Sequence, residues 1–138
     1  MSSRALRLAV PTVAVLAGFV TGVAVGQSSV PYDDQSVEQT LLATIDIAKA
    51  VDHQEDRELL LSRVTIAPHG HIGLHSHKDD PTVVYIVSGT LTNHHDDGTT
   101  EEVHAGQAFA EFGPKSHWVE NTEAAPATFV FTSLSPRQ

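Results

Sequence analysis

From residue 59 onward the chain is a series of short apolar runs separated by turn residues. Leu59 to Ile66 is rich in Leu, Val and Ile and stops at Ala67-Pro68-His69-Gly70, and Thr82 to Ser88 is β-branched and aromatic up to Gly89. Branched and aromatic side chains fit a pleated surface, and Gly and Pro punctuate it, so both runs read as strands. Thr90 to Asn93 and Glu101 to His104 flank His95-Asp96-Asp97-Gly98, where Asp-Gly signals a hairpin. Ala108 to Phe112, His117 to Glu120 and Ala127 to Leu134 complete the set, with Gly113-Pro114 and Asn121-Thr122-Glu123 as breaks. Strands that recur roughly every ten residues, with no long amphipathic helix, indicate an all-β domain, either a sandwich or a small barrel. Val37 to Val51 is ambiguous: Leu41, Leu42, Ile45 and Ala48 fall at helix-like spacing, and a short strand, a turn or a helix all fit. No internal repeat is visible, which implies one barrel.

The first 26 residues follow different rules. Arg4 and Arg7 precede an apolar run from Leu8 to Val25, small residues stand at Ala24 and Gly26, and no acid appears before Asp33. This is the layout of a secretory signal cut before Gln27. The alternative is an uncleaved anchor, because the run approaches the ~20 residues that cross a bilayer, although Pro11 and the glycines and threonines interrupt it. Either way the expected location is outside the cytoplasm, periplasmic or secreted, with the membrane involved only through this segment. Residues 27–36, short, polar and Pro-containing, read as a linker, and residues 37–138 as the folded domain.

At 138 residues there is room for one core. Eight basic against 17 acidic residues give a formal charge of −9, which argues against binding a phosphate backbone, so no nucleic-acid partner is expected. Hydrophobic residues at 41% and charged ones at 18% suit a packed domain rather than a disordered chain. Cysteine is absent, which excludes disulfides, thiolate ligands and a cysteine nucleophile. Histidine, with nine copies, is the remaining chemical resource.

The densest stretch is His69-Gly70-His71-Ile72-Gly73-Leu74-His75-Ser76-His77. Side chains at i and i+2 of a strand share a face, so His75 and His77 can offer two imidazoles to one ion. His117, behind a Gly-Pro turn, is a third that a neighbouring strand can bring to the same point. Taken singly, each is as well explained as a surface or hydrogen-bonded residue.

The glycine frames around these histidines resemble the cupin superfamily of small jelly-roll barrels. Its first motif is matched by Gly70, His75, His77, then Thr82 where a glutamate is usual, then Gly89, with one residue fewer after the first glycine. Its second is matched by Gly106, His117 and Asn121, with Phe112 and Pro114 replacing the usual Pro and second Gly. The resemblance implies a jelly-roll β-barrel and a divalent transition metal on His75, His77 and His117, iron first, with Mn, Zn, Ni or Cu as alternatives. Thr82 removes the carboxylate ligand, leaving a three-histidine site like that of thiol dioxygenase and diketone-cleaving cupins. The family often dimerises, so a homodimer is expected.

Other residues carry secondary expectations. Thr82 is placed at the substrate or orienting a water, and Asp79, Asp80 or Glu111 could restore a carboxylate. Glu111, and less so Tyr85, are the candidate proton acceptors. Arg63 could anchor a substrate carboxylate by a bidentate contact, or pair with Asp56 or Glu58 at the surface. His71 could add a second site, and His94, His95 and His104 near the acidic hairpin a further one. Phe109, Trp118, Phe129 and Phe131 read as core. The expected function is metal binding with oxygen-dependent, dioxygenase-type chemistry on a small organic molecule; the alternatives are a cupin that binds a ligand or metal without turnover, and an empty barrel serving as a dimeric module.

Overall fold

The computed structural model describes residues 29–137. The expected signal or anchor over residues 1–26 lies outside the described residues.

The described chain is one six-stranded antiparallel sheet that curls on itself. The elements are β1 (Gln35–Asp46), a 3-10 turn (Ile47–Lys49), β2 (Arg57–Ser88), β3 (Thr90–His95), β4 (Thr100–His104), β5 (Ala108–Glu120) and β6 (Ala127–Pro136). The ambiguous stretch from Val37 is therefore mostly strand, because Leu41 to Asp46 pair with Glu58 to Ser62 of β2 and tertiary pairing overrides helical spacing. β1 begins at Gln35, within the expected linker. The preceding residues are docked too: the Leu74 amide donates to Pro31 O and the Gly73 amide to Asp34 Oδ1.

Two pairs of runs expected as separate strands are each one long bent strand. β2 continues for 32 residues through the Pro68 to Gly73 stretch, with His69 in a left-handed conformation at φ 60°. β5 joins the runs on either side of Gly113, whose φ of 85° supplies the bend. These two turn signals mark kinks in strands, whereas Gly89, Asp97-Gly98 and Asn121 to Glu123 do follow strand ends. Bending lets β6 pair with both ends of β2, Arg57 to Ile66 on one side and Thr82 to Ser88 on the other. That double pairing closes the barrel.

The interior follows from strand parity. Val64, Ile66, Val84, Ile86, Leu91, Val103, Val119, Ala127 and Phe129 form the core, with Phe109 and Phe131 packed against it. Ile66 and Ile86 are fully buried. Trp118 is buried but stands apart from this cluster: it stacks flat on the His94 ring, centroids 3.7 Å apart. Gly73 is required where it sits, because a Cβ there would lie 2.6 Å from the Tyr32 carbonyl, which passes directly over the strand.

Candidate metal centre

The barrel interior holds a cavity of about 300 Å³, and His75, His77 and His117 stand together on its wall. β2 supplies the first two by i, i+2 alternation, and β5 supplies the third as the direct cross-strand partner of His75. One potential donor atom from each lies within 4.8 Å of the others. Among the described residues this is the only such cluster of His, Asp or Glu with ligand spacing.

Each ring is held from behind through Nδ1. His75 Nδ1 donates to Gly73 O at 2.8 Å. His77 Nδ1 faces Asp80 O at 3.2 Å and Thr82 Oγ1 at 3.1 Å, while the Thr82 hydroxyl spends its own proton on Asp80 O at 2.8 Å. His117 Nδ1 donates to Asn93 Oδ1 at 2.8 Å. A ring that donates through Nδ1 carries its lone pair on Nε2, the arrangement by which outer partners aim metal-binding histidines. Nε2 of His117 is buried with no hydrogen-bond partner, and the buried Nε2 of His77 faces only the Glu111 carboxylate. Orphaned buried nitrogens are costly unless something binds them. A divalent transition ion, which takes neutral imidazole nitrogen at ~2.0–2.1 Å, fits this donor set.

The surroundings pull the two inner rings in opposite directions. Burial pushes His117 down to about 4 against the pull of the Glu111 carboxylate, so its ring is neutral near pH 7. Burial also opposes protonation of His77, but the Glu111 and Asp80 groups outweigh it and raise its pKa. Glu111 is the carboxylate at the centre: Oε2 lies 3.1 Å from His77 Nε2 and Oε1 3.2 Å from His117 Nδ1. It stands on β5 directly opposite Thr82 of β2.

The remaining expected residues are placed unequally. Thr82 is buried behind His77, where it fixes that ring, and it also lines the cavity. Asp80 lines the cavity, whereas exposed Asp79 turns its carbonyl to the Arg57 guanidinium. Arg63 and Tyr85 are corrected. Arg63 is exposed between buried Ser62 and Val64, so it points away from the cavity and anchors nothing inside it. Tyr85, 47% exposed between buried Val84 and Ile86, points outward for the same reason and is too misplaced to accept a substrate proton. The second clusters do not form either: His94 Nε2 binds Glu120 at 2.8 Å, and His104 Nδ1 faces Thr90 Oγ1 at 3.1 Å.

Sequence reasoning missed Asn93. It is buried on β3, accepts from His117 and donates to Glu111 Oε1 at 3.4 Å, linking ring and carboxylate. A polar residue on the parity of buried Leu91 was the available signal. Asn121, expected from the second glycine frame, is a structural clamp: its fully buried amide donates to the carbonyls of Ile66, Ala67 and Ala125.

Comparison with known proteins agrees with this architecture. A Thermotoga maritima protein named as a predicted oxalate decarboxylase superposes with a TM-score of 0.58 at 24% identity, over 77% of this chain and 93% of that one. The polyketide cyclase RemF from Streptomyces resistomycificus gives 0.61 at 21% identity, over 78% and 70%. The cupin domain of Schizosaccharomyces pombe Cnp3 gives 0.58 at 11% identity, over 73% and 66%. These likenesses carry the fold and not the reaction. No curated protein sequence matches the chain. The family model for the cupin domain, Cupin_2, matches residues 62–133, which take in both histidine segments, and the chain belongs to that family.

Proposed function

We propose that this chain is an exported cupin that binds a divalent transition metal through His75, His77 and His117, iron first among the candidates, and uses it for an oxygen-dependent reaction on a small organic molecule. The observation that carries the reading is the set of three rings, each tied through Nδ1, with the buried Nε2 of His117 left without a partner and that of His77 facing only Glu111. Fe(II) held there would supply the means of coupling O2 to an organic substrate, because three protein ligands leave positions open. The chain's own contribution is to orient and exclude. Asn93 and Thr82 fix ring directions, the aromatic and aliphatic walls offer the substrate an apolar surface, and Glu111 accepts a proton from a substrate held beside His77.

Export rests on residues 1–26, and a homodimer on the outward row of Val83, Tyr85 and Val87, each about half exposed. The experiment is anaerobic loading with Fe(II) followed by O2 uptake across thiols, diketones and phenols. Substrate-dependent uptake that disappears in His75→Ala is the expected result. Zero uptake from fully loaded protein with every class would overturn the dioxygenase reading, and tight ligand binding alongside it would identify a binding protein.

A further inference from the structure

The three rings are not held alike. His117 leans on the Asn93 side chain and His77 on Thr82 and the Asp80 carbonyl, whereas His75 leans on main chain alone, its Nδ1 donating to Gly73 O at 2.8 Å. That carbonyl stands where the sheet is broken. Between the pairs Ile72 with Val119 and His75 with His117, β2 takes one step more than β5, so Gly73 and Leu74 together oppose Trp118. An extra residue of this kind is a β-bulge, which re-aims a neighbouring side chain and drops out of the regular ladder. Gly73, with no Cβ, is also the residue least able to keep its own carbonyl in one direction.

Residues 31–34 hold it instead. The Gly73 amide donates to Asp34 Oδ1 at 2.9 Å and the Leu74 amide to Pro31 O at 2.8 Å, so both N–H groups of the bulge are taken by one strap that crosses it. Two glycines open the track for that crossing: a Cβ on Gly73 would meet the Tyr32 carbonyl at 2.6 Å, and one on Gly70 would meet Gln35 O at 2.8 Å. The strap grips through its main chain and the Asp34 carboxylate rather than by apolar packing, since Tyr32 is 78% exposed. The Gly73–Leu74 peptide therefore sits inside a chain of hydrogen bonds, its N–H giving to Pro31 O and its C=O taking the His75 Nδ1 proton. Bonds in such a chain polarise and strengthen one another. We propose that the strap positions His75, with Asp34 as its positioning residue: by pinning the bulge it keeps Gly73 O on Nδ1 and so leaves the lone pair of that ring on Nε2. The positioning of the ring stands on the hydrogen bonds alone, and its consequence for an ion rests on the metal-centre reading above.

Two measurements on the full protein test it. In the first, NMR of isotope-labelled histidine in metal-free protein at mildly alkaline pH reads which ring nitrogen carries the proton. His75 is expected to be protonated on Nδ1 in the parent and in Asp34→Asn, whose amide oxygen still accepts from Gly73, and to shift toward the Nε2-protonated form in Asp34→Ala. His77 and His117 are expected to stay as in the parent, which a general loosening of the barrel would not allow. In the second, Zn(II) affinity is measured by competition with a chromophoric chelator. Asp34→Ala is expected to bind about three- to tenfold more weakly, less than the ~10–100-fold typical of a direct outer partner, and Asp34→Asn to return to within about twofold of the parent. An unchanged His75 proton in Asp34→Ala, an equal loss in Asp34→Asn, or a parallel change in all three rings overturns the proposal. A shifted proton with Zn(II) affinity equal to the parent's overturns its link to the ion. A parent that takes up no Zn(II) undoes the metal-centre reading separately, and the position of the His75 proton still decides the role of the strap.

Discussion

Asn93 and Thr82 touch no substrate in this account, yet each decides where an imidazole points. Asn93→Ala removes the acceptor of the His117 Nδ1 proton and the donor to Glu111. Loss of such outer partners typically weakens metal affinity ~10–100-fold, and that drop is expected in competition against a chromophoric chelator, with the folded spectrum retained. Thr82→Val keeps the shape but removes the hydroxyl between His77 and Asp80 O. It should weaken metal binding by a smaller factor and cost about 1 kcal/mol of stability, with Thr82→Ser restoring most of both. A Val variant that binds metal as tightly as the parent would show that the hydroxyl does not hold the ring. Both roles depend on long-range register, which explains their uneven legibility. His75 and His77 were legible because a period of two puts them on one face whatever the partner strand does. Asn93 was not, because only the β3–β5 pairing brings it under His117.

At the scale of elements, the long bent strand β2 governs the outcome. Its kinked stretch runs under the Tyr32–Asp33 backbone at Gly73, two residues before His75. Gly73→Ala would force a methyl against backbone atoms that cannot swing away. A loss of ~1–3 kcal/mol in the denaturation midpoint is expected, together with weakened metal binding through the Gly73 carbonyl that holds His75. A fully stable variant would mean that the approach of residues 32 and 33 is not fixed. The misplacement of Arg63 and Tyr85 is also an element-scale lesson. Leu59, Leu60 and Leu61 are apolar on both parities, so the pattern did not say which face of that segment is inward. For Tyr85 the information was present: Thr82 and Tyr85 have opposite parity, and both could not face one cavity. Pro68, Gly70 and Gly113 read as strand ends because sequence punctuation does not distinguish a turn from a bulge inside a continuing ladder.

For the whole molecule, the barrel was readable from the spacing of strands and the glycine frames, whereas its closure by β6 against both ends of β2 was not, since that pairing spans most of the domain. Ile86 is buried at the centre of the cluster, and Ile86→Ala should cost ~2–5 kcal/mol in chemical denaturation, with the spread set by how far the barrel can collapse around the gap. Assembly is tested separately. If Val83, Tyr85 and Val87 are covered by a second copy, Val83→Asp should convert a dimer to a monomer in light scattering without altering the denaturation midpoint. A parent protein already monomeric at working concentration would remove the dimer from the account.

The claim on which the chemistry depends is that three rings from two strands serve a single ion. Elemental analysis after metal loading and desalting addresses it without any assumption about substrate. The account predicts close to one equivalent of a divalent transition metal in the parent and less than about a tenth of an equivalent in each of His75→Ala, His77→Ala and His117→Ala, since removing one ligand of three should abolish a real site. A parent that retains no metal, or variants that retain as much as the parent, would contradict it.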